Sequence, residues 1–213
     1  MAPATAAEVD YVRETLAAFE RAGLVRNPKF DLPLDRYTAL IVDGYAEQEE
    51  VADPNLNRIV RFAPYPALTT LLQRVDEEDR DIEQYFANLR VFTDHCYDGA
   101  TEREHEHLLG QVLALAEEDW TVERFSVRGP DHAGNLEYSL TSGEGTHRFV
   151  LRPSKDIDAR LFAHLNRAAP SAKGQFGIAG DGGVLLVAWL PPDRAEAVDS
   201  LLGLELHRPV ASH

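Results

Sequence analysis

Cysteine is nearly absent from this 213-residue chain, Cys96 being the single one. No intrachain disulfide can form, and zinc sites built from CxxC pairs are excluded because each needs at least two thiols. Long hydrophobic runs are missing too: nothing approaches the roughly 18 apolar residues of a membrane helix. The opening stretch MAPATAAEVDYVRETLAAF carries acids early and lacks a continuous apolar centre, unlike a secretory signal. A soluble, cytoplasmic protein in a reducing environment, with no membrane partner, is the expectation.

Catalytic motifs are also lacking. There is no GxSxG elbow and no HExxH pair. Gly177, Gly180, Gly182 and Gly183 are loop glycines, but a strand follows them instead of a helix, and no phosphate-binding Lys accompanies them. The phosphate-loop and dinucleotide readings therefore fail, and a hairpin turn accounts for these glycines. One cluster has metal-ligand chemistry: Asp94-His95-Cys96-Tyr97-Asp98 followed by His105-Glu106-His107. Its spacing is poor. Side chains at i and i+2 of a helix point about 200° apart, so His105 and His107 cannot share an ion. The two histidines are expected to be solvated helix residues, and Cys96 a small buried hydrophobe. No catalytic residue, cofactor-binding residue or metal ligand is expected, and the chain reads as a non-enzyme.

Positive charge is the remaining shortage. Lys and Arg number 21 against 36 Asp and Glu, a formal net charge of −15. The excess is spread over both halves, −9 in residues 1–100 and −6 in 101–213. Such a surface repels nucleic-acid phosphates and anionic membranes and attracts basic proteins. Arg124, Arg148 and Arg152 fall where they could line one sheet face, yet the overall field opposes direct nucleic-acid binding. The acidic run Asp76, Glu77, Glu78 and Asp79, with Asp81 and Glu83, reads either as a solvated face or as a docking strip for a basic partner.

What is present is ordinary globular material, 44% hydrophobic and 27% charged, which argues against wholesale disorder. The spacing of Val9, Val12, Leu16 and Phe19 predicts a helix over 7–22, stopped by Gly23. From Ala67 the stripes Leu68, Leu71, Leu72, Val75 and Ile82, Tyr85, Phe86, Leu89 predict further helix, giving a mainly helical region over 1–100. A boundary is expected near 98–101, where Thr101 and Glu104 form a capping box for a helix over 102–118. The period then turns to alternation. Trp120 and Val122 change phase before Phe125 and Val127, so a bulge is expected at Glu123 and Arg124. Leu136, Tyr138, Leu140 and then His147, Phe149, Leu151 alternate on either side of a Ser142-Gly143-Glu144-Gly145 turn. A helix with Ser154 as its cap carries Ile157, Leu161, Phe162 and Leu165. Two more strands and a helix after Pro191-Pro192 complete an α+β domain over 101–213 with an antiparallel sheet.

The run Val184, Leu185, Leu186, Val187, Ala188, Trp189, Leu190 breaks the inside–outside alternation of a half-wet sheet, being apolar on both faces. Covering one face removes about 200 Å² or more from water, which favours occlusion by roughly 5 kcal/mol. The cover is either the N-terminal half or a second copy of the chain.

The order α-β-β-β-α-β-β-α over 102–204, with the helix IDARLFAHL, the hairpin QFGIAGDGGVLLVAWL and the closing helix, resembles the fold of type III secretion chaperones and of the related YbjN-like proteins of bacteria. That resemblance implies a non-catalytic homodimer that binds segments of client proteins and a loose association with stress response. The expectation is thus a chaperone-like or adaptor protein. Val184, Leu185, Leu186, Val187, Trp189 and Leu190 would form its dimer or client interface. The alternative is an acidic inhibitor or mimic that occupies the cationic site of a basic nucleic-acid-binding protein through the 76–83 run.

Overall fold

The structure, a computed structural model, describes residues 4–39, 73–74, 83–93, 101–152, 157–181, 184–202 and 206–209. It is a mixed α+β protein with two antiparallel three-stranded sheets. Its contacts divide it into two compact units, Met1–Ala87 with Glu196–Glu205, and Asn88–Ala195 with Leu206–His213.

The first unit begins with α1 (Ala6–Ala22). Thr5 caps it reciprocally: its hydroxyl accepts the Glu8 N–H at 3.3 Å, and the Glu8 carboxylate accepts the Thr5 N–H at 2.7 Å. These bonds satisfy donors that a helix start leaves unpaired. The stripe Val12, Leu16, Phe19 is buried. Gly23 ends the helix at φ 115°, a left-handed value that L side chains rarely adopt. A helical segment follows at 34–39. The chain crosses itself where Arg26 bridges Phe86, and Phe30, Tyr37, Tyr85 and Phe86 form a knot of rings with centroids 4.9 to 5.8 Å apart. Two short strands, β1 (Gln73–Arg74) and β2 (Glu83–Gln84), pair antiparallel.

The stripe that ends at Leu89 predicts helix, but the structure has a strand, β3 (Leu89–Thr93). Non-local pairing wins here. Tyr85 and Ala87 bond back to Asn27 and Val25, and Leu89 to Thr93 pair with a strand about a hundred residues later. Helical spacing of apolar residues is a weak prior that such ladders override.

In the second unit, α2 (Glu102–Ala114) starts at the expected capping box, Thr101 with Glu104. Strands β4 (Val122–Arg128), β5 (Leu136–Ser142) and β6 (Gly145–Leu151) form one sheet in that order. The register shifts between Val122 and Arg124, where the change of phase asked for a bulge. At the β4–β5 turn Gly129 sits at φ 127°, and a Cβ there would lie 2.7 Å from the Asn135 carbonyl, so only glycine fits. Helix α3 (Ala159–Ala168) is capped by Asp158 instead of Ser154, which lies outside the described residues. The second sheet has the order β3-β8-β7, with β7 (Gln175–Asp181) and β8 (Val184–Leu190) as its hairpin. The last helix, α4 (Ala195–Leu202), belongs to the first unit from Glu196 onward.

The core of the second unit joins Leu108, Leu109 and Val112 of α2, Leu136, Tyr138 and Leu140 of β5, Leu161, Phe162 and Leu165 of α3, and Val187 and Trp189 of β8. Each such side chain contributes roughly 1.5–3 kcal/mol by leaving water. Trp189 is held there from several sides. The indole N–H donates to Asp119 at 3.0 Å, and the ring lies 4.9 Å from Phe176 and 6.3 Å from Trp120. Gly174 leaves room for it, since a Cβ at that position would stand 2.4 Å from the ring.

Candidate partner-binding surface

The sheet β4-β5-β6 has two unlike faces. Strand pleating sends alternate side chains to opposite sides. One side carries Val127, Leu136, Tyr138, Leu140, Phe149 and Leu151, all buried. The register builds the other side as three rows: Arg124, Thr141, Thr146; then Ser126, Ser139, Arg148; then Arg128, Glu137, Val150. Arg124, Arg128 and Arg148 are exposed, and Val150 is 57% exposed. Arg152 follows directly after β6, also exposed. The described ion pairs are Asp10–Arg13, Asp158–Arg160 and Asp193–Arg194, so none of these four arginines has an ion-pair partner among the described residues. Short hydroxyl side chains form the floor, where the Thr141 and Thr146 hydroxyls meet at 3.2 Å. Neither edge, β4 or β6, pairs with another strand among the described residues. A protein of net charge −15 thus presents a sheet face with three arginines in its rows beside a single glutamate, and a fourth arginine directly after β6.

The inner side of the same sheet holds a stacked row of rings. Tyr138 lies over Phe149 at 4.9 Å, and Phe149 over His164 at 4.3 Å. The Tyr138 hydroxyl and His105 Nδ1 share a hydrogen bond of 2.8 Å. Contrary to the solvated position expected of it, His105 is buried, because it lies on the same side of α2 as Leu108 and Leu109 and meets Tyr138. His107 is exposed and bonds to Gln111. Burial pushes the His105 pKa down, against a smaller opposing pull from Glu104. His147 is lowered by burial and then by the Arg167 guanidinium. For His164 burial again comes first, followed by repulsion from His147, Arg167 and Arg160, with Asp158 opposing. Burial raises the Tyr138 phenol far out of its ordinary range. At neutral pH these groups act as flat neutral rings that fill space. A cavity of about 300 Å³ opens beside His147, lined also by Trp120, Leu140, Gly145 and Arg167.

Of the residues expected at an apolar interface, Leu186, Val187, Trp189 and Leu190 are buried in the single chain and Leu185 is half-buried. Val184 pairs in β8, but its side chain lies outside the described residues, as does that of Glu83 in β2. Asp76, Glu77, Glu78, Asp79 and Asp81 lie outside the described residues altogether, and so do His95 and Cys96. Among the described residues no group of three or more His, Cys, Asp or Glu side chains can hold a metal ion. No helix among them is long and apolar enough to cross a membrane.

No protein-family model, curated protein or solved structure matches this chain.

Arg128 joins Arg124 and Arg148 in the rows of this face, although the expectation from sequence names only Arg124, Arg148 and Arg152. The signal was there. Once the bulge resets the phase, Arg124, Ser126 and Arg128 alternate with Phe125 and Val127, and the arginines share one side.

Proposed function

We propose that the protein is a non-enzymatic, chaperone-like adaptor that holds a partner protein on the open face of β4-β5-β6. The observation that carries this reading is a sheet whose outer side carries three exposed arginines, with a fourth directly after β6, none with an ion-pair partner among the described residues, and whose other side is filled by the core. Exposed guanidinium groups present ready donors to a protein ligand, and the edges of a sheet offer backbone bonds. The resemblance to secretion chaperones and YbjN-like proteins belongs to this proposal, and the helices and strands from Glu102 onward support it. Self-association through β8 does not, since Leu186, Val187, Trp189 and Leu190 would first have to be uncovered.

The test is capture of partners from the native cell with the full chain and with an Arg124→Glu/Arg148→Glu variant. Arg13→Glu, on exposed α1 surface, serves as the control. A partner retained by wild type and control but lost by the double variant supports the reading. Identical captures by all three would overturn it.

A further inference from the structure

We infer that the occupant of the arginine face is an acidic, extended polypeptide segment; the inference rests on the partner-binding reading above and names the chemistry of that partner. Spacing is the first argument. Arg124 and Arg128 stand four residues apart on β4, about 13 Å along a strand. An extended chain lying along that strand repeats at the same rise, so carboxylates at its positions i and i+4 fall opposite both guanidinium groups. Arg148 lies two strands away, about 10 Å across the sheet, in the row between them. A third carboxylate pointing across the face reaches it.

The side-chain chemistry points the same way. A guanidinium offers a planar pair of N–H donors that matches a carboxylate in two-point fashion. Between the arginines stand Ser126, Ser139, Thr141 and Thr146, short enough to let a backbone approach the sheet and able to donate to it. Glu137 is the one acidic side chain in the three rows and lies in the last of them, between Arg128 and Val150.

The same face does not suit a nucleic acid. Binding of single strands relies on aromatic side chains that stack the bases. This face carries none: its members are Arg, Ser, Thr, Glu and Val.

Fluorescence anisotropy decides the matter. The probes are a labelled oligoglutamate of about twelve residues and a single-stranded oligonucleotide of about the same length, each at about 50 mM and about 500 mM salt. The full chain is expected to bind oligoglutamate at low salt and to lose at least about tenfold in affinity at high salt. Arg124→Glu/Arg148→Glu should lose at least about tenfold at low salt, with an unchanged circular dichroism spectrum. Arg124→Lys/Arg148→Lys should retain charge-driven binding but bind less tightly than wild type. Absence of oligoglutamate binding, equal binding by the Glu variant, or tighter binding of the oligonucleotide would each overturn the inference. If oligoglutamate fails while the double variant still loses its cellular partner, the adaptor reading stands and only the acidic occupant falls.

Discussion

Gly174→Ala places a methyl group where the Trp189 indole already is. The new Cβ would stand 2.4 Å from Cε2, 2.6 Å from Cζ2 and 2.7 Å from Nε1 of that ring. The ring has little freedom to retreat, because it is 2% exposed, Phe176 lies 4.9 Å away and Trp120 stacks at 6.3 Å. Two effects compete. Gly174 is not at a positive φ, so alanine restricts the unfolded chain and by that route stabilises by about 0.4–1 kcal/mol. Overpacking in a dense core costs about 1–3 kcal/mol. Any shift of the indole also weakens its 3.0 Å bond to Asp119, and bonds to a charged acceptor contribute about 1.5–3 kcal/mol. Overpacking wins, and the net loss expected is about 1–4 kcal/mol. Urea unfolding followed by far-ultraviolet circular dichroism reads it as a lower midpoint. The same substitution in a Trp189→Phe background should cost much less, since the smaller ring vacates the contested space; the coupling is what a double-mutant cycle isolates. An unchanged or raised midpoint for Gly174→Ala in the wild-type background would refute the claim that Trp189 is clamped in the core.

Three further outcomes are expected. Leu186, 1% exposed, should tolerate no charge: Leu186→Asp buries an unpaired carboxylate at a cost of several kcal/mol and should give unfolded or aggregated protein by gel filtration and circular dichroism, whereas a folded soluble monomer would show that β8 had been an outer surface. His105, His147 and His164 all have folded pKa values held down by burial, so the unfolded chain takes up protons first as pH falls below about 6.5. Stability should be full above that value and decline as pH drops through the depressed folded values, and a urea midpoint that stays flat or rises between about pH 7.5 and about pH 5.5 would contradict this. Tyr138→Phe removes the 2.8 Å partner of His105 Nδ1 and should cost about 1 kcal/mol while altering the nuclear magnetic resonance titration of that ring; an unperturbed His105 titration would count against the bond.

Features that a few neighbouring residues decide are legible in the sequence. The capping box at Thr101 and Glu104, the left-handed Gly23, the phase change at Val122 to Arg124 and the alternation of Leu136, Tyr138 and Leu140 each reflect a constraint within a few residues. The stripe Ile82, Tyr85, Phe86, Leu89 misleads because the strand that begins at Leu89 is set by pairing with Val184 to Ala188, far away in the chain. His105 misled for a related reason: a polar side chain on a helix looks solvated until Tyr138 supplies its partner across the core. The apolar β8 correctly announced that it needed cover, but the amino-acid string does not distinguish cover within a chain from cover between chains. The arginine face was half legible. Parity along β4 and β6 was readable, whereas the register that lines up the three rows depends on the bulge and the β5–β6 turn.

On the function proposed above, a partner sits on the open face of β4-β5-β6. A photo-crosslinking amino acid placed at Ser139, in the middle of that face, and separately at Glu14 on the exposed side of α1, tests it in the native cell. An adduct of higher mass is expected on irradiation from position 139 and none from position 14. Adducts from position 14 with none from position 139 would contradict it.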